Sequence, residues 1–185
     1  MIEFIVTQVP QAQPRQRFRV VWPKFSSIPW SLPPAALLNF IKSKVFVSNY
    51  TPASSEVTKF KDACVSAGHT AAVASKQNTP FTGAVRMSLV MVMARPKNEV
   101  WKTKPMPRYW HTKKPDTDNI AKAVQDALEG ILWDTDSRVC VSELVKVVAS
   151  GDEEPCLAVR VERIDDVAPV TWADDLIRES QLAET

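Results

Sequence analysis

Lys113-Lys114-Pro115-Asp116-Thr117-Asp118-Asn119-Ile120-Ala121-Lys122-Ala123-Val124-Gln125-Asp126-Ala127-Leu128-Glu129-Gly130 is the stretch from which the rest of the chain is most readily ordered. Ile120, Ala123, Val124, Ala127 and Leu128, continued by Ile131, recur at the i, i+3, i+4, i+7 spacing of one helix face, so one side must be buried. The pattern predicts a helix from near Asp118 to Gly130, a residue suited to the left-handed position just past a helix end. Asp116 and Asp118 lie before and within its first turn. Lys122 follows Asp118 by one turn, on a side offset from the apolar stripe. The apolar side anchors the helix to a sheet, and the charged side stays available.

Strands are predicted on both sides of this helix. Upstream, Val85, Met87, Leu89, Met91 and Met93 alternate at period two, as a central strand does, and the methionines fill the core. Downstream, after the turn WDTDS, the run RVCVSELVKVVA is β-branched, and the GDEEP turn is expected to return it through CLAVRVERI as its antiparallel partner. At the start, Ile2, Phe4 and Val6 alternate with polar residues as a half-buried strand. The segment QVPQAQPRQRFRV reads as an exposed loop entering a second strand.

From Pro23 to Pro34 the proline density excludes regular structure, and a short helix is expected from Ala35 to about Lys44. Residues 23–44 thus form a Pro-rich surface excursion. Thr51-Pro52 should open a further helix, with Ser54 or Ser55 as alternative caps, a stripe of Val57, Phe60 and Cys64, and an end at Gly68. The tail VTWADDLIRES, about residues 171–183, can make a short amphipathic helix. The sum is one α+β domain over residues 1–185, with a mixed β-sheet and packed helices. Strand order is not legible at this level.

With 185 residues, 45% hydrophobic and 24% charged, the chain has the makings of one soluble globular domain with a core of its own. No apolar run approaches the ~20 residues of a membrane helix, and MIEFIVTQVPQ lacks the regions of a secretory signal. A cytoplasmic protein with no membrane partner is expected. Cys64, Cys140 and Cys156 lack the paired spacing of structural zinc and are expected as reduced, packed thiols. The net charge of +2 is too small to argue for nucleic acid. Its distribution argues more: Arg95, Lys97, Lys102, Lys104, Arg108, Lys113 and Lys114 stand against one acid, Glu99, with Trp101, Tyr109 and Trp110 interleaved.

Each candidate residue has a plain alternative. Asp116 and Asp118 could cap a helix, Lys122 could be a solvated helix lysine, and Asp136 could be a turn residue of DTDS. His111 could contact phosphate or act as a base, or be solvated; Asp126 could face the acids or pair with Lys122. Yet two acids flanking one residue exceed what a cap needs. Gathered carboxylates raise one another's pKa values until a divalent cation neutralises them. Hard oxygen ligands select Mg²⁺ or Mn²⁺, and such a site beside basic loops suits phosphodiesters.

The run KKPDTDNIAKAVQDALEGILWDTDSRV resembles the signature of the RusA-type Holliday junction resolvases. In that family K-P-D-x-D-N-hydrophobic-x-K leads a helix containing D-A-L, followed by a W/Y-x-D-D-S-x-V turn. Weaker resemblance extends through QPRQRFR, YTPASSEVTKFKDA and PFTGAVRMSLVMVMARPKN, so most of the chain is covered. The resemblance implies that Asp116, Asp118 and Asp136 hold Mg²⁺, with Mn²⁺ as substitute. Lys122 would stabilise transition-state charge or orient a carboxylate or phosphate. Thr135 stands where the family has the first acid of its turn pair, and Asp134 lies one place earlier.

The resemblance further implies a homodimeric, bacterial or phage-encoded endonuclease making paired cuts in branched double-stranded DNA, with 5′-phosphate and 3′-hydroxyl products. Arg15, Arg17, Arg19, Lys102, Lys104, Arg108, Lys113 and Lys114 would then track phosphates. Three rivals remain: a metal nuclease for forks, flaps or general duplex DNA; a non-catalytic DNA-binding module, for which Thr135 is the one support; and a structural or interaction protein whose acids merely cap a helix. Relative to the family, the Pro-rich stretch looks like an insertion.

Overall fold

A computed structural model gives the fold and describes residues 1–14, 17–50, 55–151 and 153–166. In chain order the elements begin with β1 (Ile2–Val6), β2 (Arg17–Val21), α1 (Pro34–Lys44), β3 (Phe46–Tyr50) and α2 (Ser55–Ser75). They continue with β4 (Val85–Met93), β5 (Tyr109–Trp110), α3 (Thr117–Leu128), β6 (Val139–Val148) and β7 (Cys156–Arg163). Five strands form one mixed sheet in the order β1-β7-β4-β6-β5, while β2 and β3 form a separate two-stranded ribbon. The α+β class expected from the sequence is the class observed.

β4 takes the centre with Val85, Met87, Leu89, Met91 and Met93 buried on the face that the helices cover, and its backbone groups are satisfied by a partner strand along each edge. Those partners are β6, parallel, and β7, antiparallel. The expected hairpin of β6 with β7 is therefore corrected: β4 lies between them. The seven residues from Ala149 to Pro155 connect the two, and crossing one intervening strand requires only about 10 Å. β1 extends the sheet beyond β7, and the two-residue β5, which the sequence did not announce, extends it beyond β6.

Helices α2 and α3 cover one face. Phe60 and Cys64 from α2 meet Ile120, Ala123, Val124 and Leu128 from α3 over Ile2, Val6, Leu89, Leu157 and Val159, with Trp133 the largest fully buried side chain. The end predicted for α2 at Gly68 is also corrected, since the helix runs on to Ser75. Gly68 is a packing glycine. A Cβ there would stand 2.6 Å from Leu128 Cδ2, so its bare backbone is where α2 and α3 approach. Gly130, by contrast, has φ +77° and ends α3 as predicted.

The stretch Pro23–Pro34 is not wholly irregular, for a 3₁₀ turn occupies Phe25–Ser27. The helix expected after it is α1, which buries no residue. Cys64 is buried, which pushes its thiol up to about 12. Cys140 is exposed rather than packed, because it alternates outward on β6. Arg15, the helix opening at 51–54 and the tail 171–183 lie outside the described residues. No helix among the described residues is long and apolar enough to cross a membrane.

Candidate active site at the start of the third helix

Asp116 occupies the N-cap of α3 with extended backbone, and its carbonyl accepts the first helical bond, from Ile120 N–H at 3.3 Å. Its carboxylate makes no capping bond. Asp118 lies in the first turn, and Ile120, Ala121, Ala123, Val124, Ala127 and Leu128 turn the other side of the helix into the core. Both carboxylates are exposed, and among the described residues neither forms a hydrogen bond or ion pair. The capping alternative therefore has no bond to support it. Two unpaired acids remain where the helix dipole and free N–H groups favour negative charge.

The loop that presents Asp116 is built around Lys146 of β6. Its Nζ donates to the Lys113 carbonyl at 2.8 Å and the Pro115 carbonyl at 2.5 Å. Its own carbonyl accepts from His111 N–H at 3.2 Å. Lys146 lies in register with buried Met91. A lysine at a core-register position in the run LVKVV is the sequence signal that could have disclosed this role; the family motif does not include it. With Trp110, His111, Lys113, Lys114, Asp116 and Leu144, Lys146 lines an open cleft of about 430 Å³. His111 is held below its ordinary pKa, first by burial and then by the charges of Lys146 and Lys113, and its Nδ1 is buried without a hydrogen-bond partner.

Asp136 is positioned from a different element. The indole N–H of Trp133, fully buried, donates to Asp136 Oδ1 at 3.4 Å, while the Asp136 backbone N–H donates to Glu129 Oε1 at 3.4 Å. Asp134, one place before Thr135, is engaged by Arg138, which donates to both its oxygens at 2.8 and 3.0 Å and holds its pKa below the ordinary carboxylate value. Lys122 Nζ lies 3.6 Å from Asp126, and Lys61 donates to the same carboxylate at 3.1 Å. Burial raises the Asp126 pKa, but bonds from Lys61 and Gln13 and the charge of Lys122 outweigh it, and the pKa ends lower. Asp126 is thereby spoken for, as its alternative role foresaw.

The basic stretch divides into structural and free charges. Arg95 donates to the carbonyls of Ala149 (3.0 Å), Met106 (3.3 Å) and Pro107 (2.6 Å), so it holds loops together. Arg108 forms a two-point ion pair with Glu153, whose pKa it lowers to about 2. Lys102, Lys104, Lys113 and Lys114 are exposed. Lys104 sits over the Trp101 ring at 5.8 Å.

Mg²⁺ binds through one or two carboxylates and keeps several waters, and the unpaired Asp116 and Asp118 fit that demand. Among the described residues no three His, Cys, Asp or Glu side chains gather closely enough to cage an ion by themselves. The family profile described as Endodeoxyribonuclease RusA matches residues 41–162, about two thirds of the chain, from within α1 to the penultimate residue of β7. The chain belongs to the RusA endodeoxyribonuclease family. No curated protein matches it in a direct sequence comparison. The RusA match contains α3, the Asp136 turn and Lys146. It leaves out β1, β2 and most of α1.

Proposed function

We propose that this RusA-family enzyme hydrolyses phosphodiesters in branched DNA, resolving four-way junctions by paired cuts, with Asp116, Asp118, Asp136 and Lys122 as its catalytic set. The observation that carries the proposal is the pair of unpartnered carboxylates at the start of α3, beside a cleft bearing Lys113, Lys114 and Lys146. Asp116 and Asp118, with Asp136 as the third acid, would hold Mg²⁺ or Mn²⁺. When bound, the ion would acidify a coordinated water and offset negative charge on the phosphate. Lys113 and Lys114 draw the strand in, because exposed ammonium groups release counterions from DNA phosphates. Lys122, anchored by Asp126, adds positive charge beside the acids without neutralising either of them.

A homodimer suits this substrate, since a four-way junction offers two equivalent scissile positions and a two-fold dimer offers two equivalent sites. The test is cleavage of a four-way junction beside matched linear, forked and flap DNAs, in Mg²⁺, in Mn²⁺ and in EDTA. Paired cuts in the junction that require added metal support the proposal. Preference for forks or flaps would move the specificity to those DNAs, and junction binding without cutting in either metal would favour a non-catalytic module.

A further inference from the structure

The segment from β2 to β3 stands apart from the sheet. β2 and β3 pair only with each other, α1 buries nothing, and among the described residues none of the three packs extensively on the five-stranded sheet or its helices. Large apolar side chains nevertheless crowd its surface: Trp22 is 66% exposed, Phe25 76%, Trp30 53% and Phe46 59%. Phe25 and Trp30 lean together, ring centroids 4.8 Å apart, and the Trp30 indole N–H donates to the Phe25 carbonyl, which fixes the pair on the 3₁₀ turn. Soluble proteins rarely leave so much apolar surface open without a partner.

The charge of the same segment limits what that partner is. Between Glu3 and Glu56 there is no acidic residue at all, whereas Arg15, Arg17, Arg19, Lys24, Lys42 and Lys44 all fall there. Lys24, Lys42 and Lys44 are exposed. A second copy of this arm would bring like charge against like charge, which opposes pairing. A polyanion that also offers flat apolar faces fits both properties, and a DNA strand with unpaired bases is such a molecule.

The arm is also rooted at the candidate site. Gln13, at the start of the segment leading into β2, donates its backbone N–H to the Asn119 carbonyl at 3.0 Å, one residue from Asp118, and its side chain bonds Asp126. We propose that the β2–α1–β3 arm grips unpaired DNA at a branch, stacking bases on Trp22, Phe25 and Trp30 while Lys24, Lys42 and Lys44 hold the phosphates. This rests on the proposed action on branched DNA and makes it more specific: branches with single-stranded character are favoured over fully paired ones.

The test is binding without metal, by anisotropy in EDTA, using the full chain, a labelled fork with single-stranded arms and a linear duplex of the same sequence. Base stacking supplies much of the grip on an unpaired strand, so the triple variant Trp22→Ala, Phe25→Ala, Trp30→Ala should bind the fork at least about 10-fold more weakly. Its duplex affinity should stay within about threefold, because exposed lysines dominate that contact. Lys24→Gln, Lys42→Gln, Lys44→Gln should lower the slope of log affinity on log salt by about 2 on a single strand.

In the unmutated chain, adding a dT oligomer should protect tryptophan fluorescence from acrylamide, a readout that needs no variant. Unchanged fork binding by the ring variant, equal loss on fork and duplex, or no protection by dT would overturn the proposal. So would a ring variant that keeps its fork affinity but loses its dimer or its binding to phosphatidylserine vesicles. A chain that grips forks through these rings yet cuts no DNA in Mg²⁺ or Mn²⁺ would sustain the arm's role and remove the hydrolytic one.

Discussion

Lys146→Met removes one ammonium group and leaves a side chain of nearly the same length, and its consequences follow from two distances. The carbonyls of Lys113 and Pro115, at 2.8 and 2.5 Å from Nζ, lose their donor. A hydrogen bond to a charged group is worth roughly 1.5–3 kcal/mol, but this loop is at the surface and water can replace part of each bond. The net loss of stability should therefore be about 1–2 kcal/mol. Catalysis should suffer more, because the loop ends at Asp116, and displacement of a reacting group by about 1 Å can cost about 10²-fold.

The assay is single-turnover cleavage beside DNA affinity in EDTA. Cleavage should fall about 10²-fold while affinity changes by less than about threefold, since both protein-bound donors of the ammonium point to backbone rather than phosphate. Lys146→Arg, which keeps the charge and can donate to both carbonyls, should recover most of the rate. Asp116→Asn combined with Lys146→Met should be no slower than Asp116→Asn alone, as residues acting through one another are non-additive. If Lys146→Met cuts within twofold of wild type, the claim that this lysine fixes Asp116 is wrong.

Three further outcomes are expected. Gly68→Ala, which on an open helix would gain about 0.5–1 kcal/mol, should here lose about 1–3 kcal/mol in denaturant unfolding, because its methyl would meet Leu128 at 2.6 Å; a gain would show that the helices separate freely. His111 is held below its unfolded value of 6.5, so beneath that pH the unfolded chain binds more protons and stability rises with pH. His111→Gln should flatten melting temperature against pH just below 6.5, and an unchanged curve would show no such depression. Replacing Lys102 and Lys104 by Gln should lower the duplex salt slope by up to about 2, whereas Arg108→Gln should change it little because Glu153 already engages that charge; a large effect of Arg108→Gln would show that it meets phosphate.

Local pattern disclosed the elements whose burial repeats at one period. Helix α3 was visible from Ile120 to Leu128 and β4 from its alternating methionines, since a single face decides each. Strand order was not visible: the hairpin expected of β6 and β7 was the shortest connection, whereas β4 pairs along both its edges and so separates them, which the periodicity of one face does not disclose. Gly68 misled because a glycine that ends a helix and one that lets two helices touch look alike in one sequence. Asp116 and Asp118 were legible as a pair at the start of α3 because their spacing is local. Lys146, Gln13 and Trp133 were not, because each acts on a residue brought near by the sheet or by a turn, and Glu153 likewise claimed Arg108 from 45 residues away.

Single-turnover cleavage of a four-way junction in Mg²⁺ by wild type and Asp118→Asn, at the same salt and with junction affinity measured in Ca²⁺, addresses the acids themselves. Asn keeps the size of the side chain, and Asp118 has no bond to lose, so the variant should fold and should bind the junction as well as or better than wild type, one negative charge having gone. Wild type should release paired cuts, and Asp118→Asn should lose at least about 10²-fold in rate. A folded Asp118→Asn that cuts at nearly the wild-type rate would contradict the assignment of the active site to the start of α3.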